Sequence, residues 1–279
     1  MLTVGTEMEI IDTQAKIECP SRFVAAESLP GAYRRVANAA KKMPPEIPAY
    51  LEDTYHWAYL NPRSVRWLDR ESVVRTILWQ QHVRLRSAAF QEIEPGSSVL
   101  QPACVYGDFS SALAEHIGPD GSLEVLDVAR IQVANCRRKL KKYPQASVRH
   151  ANAMEVGSKK YAVVCCYFLM HELPDDIKHL VADALLLSVA PGGKLIFVDY
   201  HKPHWAHPLK PITSLVFDML EPFAKGLWHK ELSDFASDFA SFAWKKETFF
   251  GGLFQKVVAS RPNSATEESV RPIQKNRWL

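Results

Sequence analysis

Through the middle of the chain, short apolar runs alternate with stretches whose apolar residues recur every three or four positions. "SSVLQPACV" (97–105) predicts a first strand, and "DFSSALAEHIG" (108–118) a helix closed by Gly118. "GSLEVLDV" (121–128) reads as a second strand, followed by "ARIQVANCRRKLKKYP" (129–144), a helix with a basic end stopped at Pro144. "ASVRHANAM" (146–154) is a third strand, and "KYAVVCCYFLMHELP" (160–174) a long fourth strand whose last residues turn polar. The helix "DDIKHLVADALLLSVAPGG" (175–193) opens on two acids, which suits its dipole, and "KLIFVDYH" (194–201) follows as strand five. Apolar strands alternating with amphipathic helices predict an α/β fold: a mostly parallel sheet covered on both faces.

The flanking segments break this rhythm. Residues 1–45 end in "KKMPPEIP", a proline-marked linker, and form an N-terminal extension. "AYLEDTYHWAYLNPRSVRWLDRESVVRTILWQQHVRLRSAAF" (49–90) predicts two or more helices divided near Pro62, placed within a helical cover over 46–93. Its arginines share helical spacing with Val65, Leu68, Val74 and Ile77, giving the cover a basic side. The α/β domain then spans 94–260. It contains an insertion at 202–242, rich in Pro, His, Trp and Phe and too long for an ordinary connection, which is expected to form a lid. "KKETFFGGLFQKVVAS" (245–260) predicts two strands joined through Gly251 and Gly252, and 261–279 a loose polar tail.

Composition narrows the picture modestly. A formal charge of +3 gives no case for a nucleic-acid partner, though a mild basic excess suits contact with an anionic membrane surface. The five cysteines include no C-x-x-C pair, so they read as reduced thiols of a cytosol-like compartment, without a disulfide framework or zinc site. No apolar run reaches transmembrane length, and Glu7, Glu9 and Asp12 read against an Arg-rich transit peptide.

In open α/β sheets ligands bind beyond the carboxyl ends of the strands. Four such ends carry polar residues here: "VLQPACVYGDFS" (99–110), Asp127, Asn152 in "HANAM", and His171 with Glu172. Asp127 can accept hydrogen bonds from both ribose hydroxyls of a nucleoside, and equally can cap the following helix. Asn152 can meet an adenine edge or simply make a turn. The ordered set of four resembles class I S-adenosylmethionine-dependent methyltransferases over about residues 95–260. The absence of G-x-G-x-x-G speaks against a dinucleotide enzyme.

A narrower resemblance rests on "YLEDTYHWAYLNPRSVRWLDR", "VLQPACVYGDFS", "FLMHELPDD", "VDYHKPHWAHPLKP", "LEPFAKGLWHKEL" and "KKETFFGGLFQKVVA". These segments resemble the rhodoquinone biosynthesis protein family (RquA) from about residue 47 to 260. That resemblance implies replacement of a ring methoxy group of ubiquinone by an amino group, with S-adenosylmethionine as amino donor and Mn2+ as supporting ion. It also implies peripheral attachment to the cytoplasmic side of the inner membrane, or to the matrix side of the mitochondrial inner membrane in a eukaryote.

The expected cofactor contacts are Gln101, Ala103, Val105, Tyr106, Gly107 and Asp108 in the loop, Asp127 with Val128, Asn152 with Ala153, and Phe168. Gln101 stands where similar methyltransferases commonly carry an acid near the cofactor's amino group. A neutral residue there eases deprotonation of that amine, while Asp108 can restore the negative charge. His171, or His201 with Asp199, is the expected general base, and Tyr55, Trp57 and Tyr59 are expected to line a channel for the quinone ring. Asp199, His201, His204 and His207 invite a metal reading, although Pro203 and Pro208 make a regular helix unfavourable. Two other functions stay open: an ordinary methyltransferase acting on a quinone or phenol, and a non-catalytic member of a quinone-biosynthesis assembly.

Overall fold

The structure, a computed structural model, describes residues 46–263. The expected N-terminal extension, most of the C-terminal tail and Cys19 lie outside the described residues.

The cover comprises α1 (Ala49–Tyr55), a π-helical turn (His56–Leu60), α2 (Pro62–Leu68), α3 (Glu71–Ile77) and α4 (His82–Phe90). Pro62 starts α2 at a position where a missing N–H costs nothing, and the Asn61 side chain caps the turn by accepting from Arg63 N–H. The sheet and its helices follow: β1 (Ser98–Gln101), α5 (Phe109–Ile117), β2 (Ser122–Asp127), α6 (Arg130–Leu140), β3 (Ala146–His150), β4 (Tyr161–Tyr167), a 3-10 turn (Met170–Glu172), α7 (Asp175–Leu187) and β5 (Val189–Tyr200). After α8 (Lys210–Leu220) and three 3-10 turns, β6 (Ala243–Phe249) and β7 (Phe254–Ser260) close the chain's sheet.

The strand order is β3-β2-β1-β4-β5-β7-β6. The first five strands are parallel, and β7 runs antiparallel between β5 and β6. Two apolar layers sandwich the sheet. One gathers Leu85, Leu113, Ile117 and Ile196, the other Leu100, Leu126, Leu185 and Phe197. Strand residues pointing alternately to these layers explain the near-continuous apolar runs in the sequence.

Two elements differ from the sequence reading. Residues 189–193, expected to end a helix, instead begin β5, where the register jumps between Tyr161 and Val163 on the partner strand. A Cβ on Gly193 would lie 2.6 Å from Ala162 O, so only glycine allows the strands to approach there. The 202–242 insertion is also packed more firmly than a free lid. Leu227, Leu232 and Phe235 are fully buried in the core, and the buried Lys178 donates to Phe223 O. Among the described residues, no helix is long and apolar enough to cross a membrane.

Candidate active site

Every expected polar strand end lies at the carboxyl edge of the parallel strands, because the strands share one direction. There a cavity of about 150 Å³ opens between the cover and the sheet. Leu68, Val74, Leu78, Phe109, Tyr167 and Phe168 give it an apolar wall. His171, Glu172, Glu221 and Tyr59 supply a polar end.

The loop after β1 is braced rather than loose. Gln101 Nε2 donates to Ala103 O (2.7 Å) and Ser110 Oγ (2.9 Å), while its buried Oε1 has no partner. Gly107 adopts φ +75°, and an added Cβ would meet Glu71 Oε2 at 3.0 Å. Lys139 on α6 donates to Val105 O, Gly107 O and Asp69 Oδ1, at 2.9, 2.9 and 2.7 Å. Asp69, from the end of α2, also accepts from Gly107 N–H and Asn135 Nδ2. Tyr106 stacks on Tyr59 with centroids 5.6 Å apart, donates to Ala58 O and accepts from Gln132. The bulky side chain thus anchors the loop to the π-helical turn. Asp108 forms an ion pair with Arg86, so the negative charge expected there is already balanced.

Asp127 accepts from Cys104 N–H (2.9 Å) and Ala129 N–H (2.8 Å), combining the capping contact with a brace on the loop. Burial raises its pKa to about 6 against those hydrogen bonds. Each of its oxygens keeps a lone pair, so the carboxylate still fits a pair of ribose hydroxyls. Val128 O meets His150 Nε2 at 2.8 Å. Asn152 makes a turn, its Oδ1 accepting from Met154 N–H, which leaves its amide N–H groups for a ligand. Ala153 is partly buried against the second apolar layer.

At the end of β4, Phe168 holds φ +50°, a costly value for an aromatic residue. Its ring meets His171, Tyr200 and Phe254 edge-on. His171 Nδ1 lies 2.8 Å from Asp199 Oδ1. Burial disfavours the imidazolium, but the Asp199 carboxylate, reinforced by Glu221 and Glu172, outweighs it and holds the pKa up at about 9. Asp199 also accepts from the backbone N–H groups of Met170, His171 and Tyr200, so its position is fixed. Burial pushes Glu172 up to about 8, with the neighbouring Glu221 adding to the rise, although the Tyr59 hydroxyl donates to it. Burial likewise raises Glu221, whose Oε2 has no hydrogen-bond partner.

These placements revise the expected roles. His171 and Asp199 come together, but His201 does not line the cavity: its ring meets Gly252 O and Lys246, anchoring the β6–β7 turn. A pKa near 9 leaves His171 charged at neutral pH, so it acts there as donor and positive charge, not as base. Tyr59 and Trp57 line the cavity, whereas Tyr55 lies outside its lining, edge-on to Tyr59. Mn2+ finds no fit. Asp199 is saturated by His171 and three N–H groups, and no cluster of three His, Cys, Asp or Glu among the described residues could hold a metal. His204 and His207 instead accept from backbone N–H groups two residues on. The sequence reading missed Glu221, Asp69 and Lys139. Glu221 sits in an insertion with no strand-end position to mark it, and the other two join segments 70 residues apart.

Residues 99–193 match the family model of the methyltransferase domain. The chain is similar to demethylmenaquinone methyltransferase of Bacillus licheniformis, at 26% identity over 176 residues, 62% of this chain and 72% of that one. The Bacillus cytotoxicus protein of the same name is 26% identical over 187 residues, covering 64% and 75%. An O-methyltransferase family protein from Burkholderia thailandensis superposes with a TM-score of 0.57 at 13% identity, over 84% of this chain and 69% of that one. A possible exported protein from Bordetella parapertussis gives 0.53 at 18% identity, covering 83% and 79%. The fold is therefore that of the class I methyltransferase-like α/β proteins, with the methyltransferase-domain match lying across β1 to the start of β5.

Proposed function

We propose that the protein is an S-adenosylmethionine-dependent methyltransferase acting on the ring of a quinone in its reduced, hydroquinone form. The observation that carries this reading is the buried His171–Asp199 pair beside Glu172, facing an apolar cavity at the strand ends. The named relatives supply the substrate class, and the fold supplies the cofactor class. The residues fit that cofactor: Asp127 retains lone pairs, Asn152 retains amide donors, and Val105 and Tyr106 of the loop line the cavity.

When bound, S-adenosylmethionine supplies an electrophilic methyl carbon. The protein's part is to make the ring a nucleophile. The His171 imidazolium, held by Asp199, stabilises the anion of a ring hydroxyl placed against it. Glu172, with a pKa near 8, is partly ionised at neutral pH and takes the hydroxyl proton. Once the ring carbon carries the methyl, its C–H proton returns to the ring oxygen, so one proton is released for each methyl gained. The apolar wall excludes water and strengthens both effects.

One observation favours a second reading, amino transfer to ubiquinone with loss of methanol. Gln101 is neutral and buried with an unpartnered Oε1, so it does not hold an amine as ammonium. Doubly labelled S-adenosylmethionine separates the two readings. It carries heavy nitrogen in the amino group and deuterium on the methyl, and is offered with reduced demethylmenaquinone or with ubiquinone. A quinone product bearing the deuterated methyl is expected; one bearing heavy nitrogen overturns methyl transfer in favour of amination. A quinone carrying neither label overturns both.

A further inference from the structure

α8 carries an apolar stripe on the wrong side for packing. Thr213 and Phe217 are buried, yet Ile212, Leu215, Val216, Met219 and Leu220 face solvent, Met219 at 71% exposure. Their spacing of i, i+3, i+4, i+7, i+8 makes one continuous helical face. Trp205, 80% exposed, stands just before the helix, with the exposed Lys202 near it and Lys210 at the helix start. The helix's one acid, Asp218, is neutralised by Lys225. A continuous exposed apolar stripe of this kind marks an interaction surface.

The helices that meet at the cavity indicate its partner. Glu221, which caps α8, and Leu68, at the end of α2, both line it, and so do the exposed Trp57 and Ile77. Arg63 and Arg66 on α2 and Arg70, which precedes α3, are exposed, and none forms an ion pair among the described residues. We infer that the α8 stripe and Trp205 insert into a lipid surface while Arg63, Arg66 and Arg70 engage anionic headgroups. Apolar side chains with a tryptophan at their edge, and unpaired arginines beyond, match the layered chemistry of a bilayer interface. The attachment holds whether or not the proposed transfer reaction does.

The full chain tests this by flotation with phosphatidylcholine vesicles, with and without phosphatidylglycerol, in low and high salt. Binding is expected to be strongest to the anionic vesicles and to be released only in part by salt. The double variant L215N/M219N is expected to lose about tenfold or more in partitioning. The triple variant R63Q/R66Q/R70Q is expected to lose about tenfold to a hundredfold on anionic vesicles and little on neutral ones. All five side chains are exposed, so unchanged melting temperatures verify that the variants fold. No vesicle binding by the parent, or equal binding by both variants, overturns the inference. So does a parent that is dimeric in sedimentation and made monomeric by L215N/M219N without vesicle binding, which would assign the stripe to a second copy.

Discussion

Glu172 shows how much a single burial changes a common side chain. On the surface its carboxyl would be ionised throughout the neutral range, yet burial places its pKa at about 8. The folded protein therefore holds a proton that the unfolded chain releases near pH 4.5. Stability from this group is complete below that value and is lost as pH rises through 8. His171, raised from 6.5 to about 9, acts in the same direction over a higher window. Glu172→Gln keeps the shape and the polar contact to Tyr59 but cannot ionise. Its melting temperature is expected to exceed that of the parent increasingly from pH 5 to 8, and parallel melting curves across that range would contradict the assignment. At this scale the sequence revealed position but not charge state. His171 and Asp199 were legible as strand-end residues, whereas their pairing depends on adjacent strands bringing positions 28 apart within 2.8 Å.

At the level of elements, the loop after β1 is stabilised by residues from outside it. Gly107 is required by its φ of +75°, and Gly107→Ala is expected to cost roughly 1–2 kcal/mol, a fall of several degrees in melting temperature. The Glu71 carboxylate near the new methyl group is an exposed side chain that can move aside, so backbone strain and the 3.3 Å approach to Val74 Cγ2 set the cost. Lys139 and Asp69 are largely buried, and Lys139→Met is expected to cost about 3 kcal/mol because Asp69 then keeps only the exposed Arg138, at 3.7 Å, as a cation. The pair K139M/D69N should cost clearly less than the sum of its members; simple additivity would mean that the clamp does not couple them. Most elements were readable from apolar periodicity, because helices and strands bury one face at fixed spacing. The start of β5 was not: Pro191, Gly192 and Gly193 look like helix terminators until the bulge against Ala162 is seen. The packing of 202–242 was equally hidden, since its buried residues lie in short 3-10 turns without a long period.

In the whole molecule, these contacts make the cover part of the candidate cofactor site. Tyr106 Oη bonds Ala58 O, Asp69 takes the Gly107 N–H, and Tyr59 reaches Glu172 across the cavity. A ligand that orders residues 101–110 must therefore restrict residues 56–69 as well, because the hydrogen bonds of one segment end on the other. Hydrogen exchange in the presence of S-adenosylmethionine is expected to slow amides in both segments, while β6, on the far edge of the sheet, stays unchanged. Tyr106→Phe removes the bonds to Ala58 and Gln132 but keeps the stacked ring. In that variant the loop should still be protected by the cofactor, and the protection of 56–60 should fall. Protection confined to 101–110 in the parent would show that the cover rests on the domain without sensing its ligand. Its aromatic residues would then serve the shape of the cavity alone.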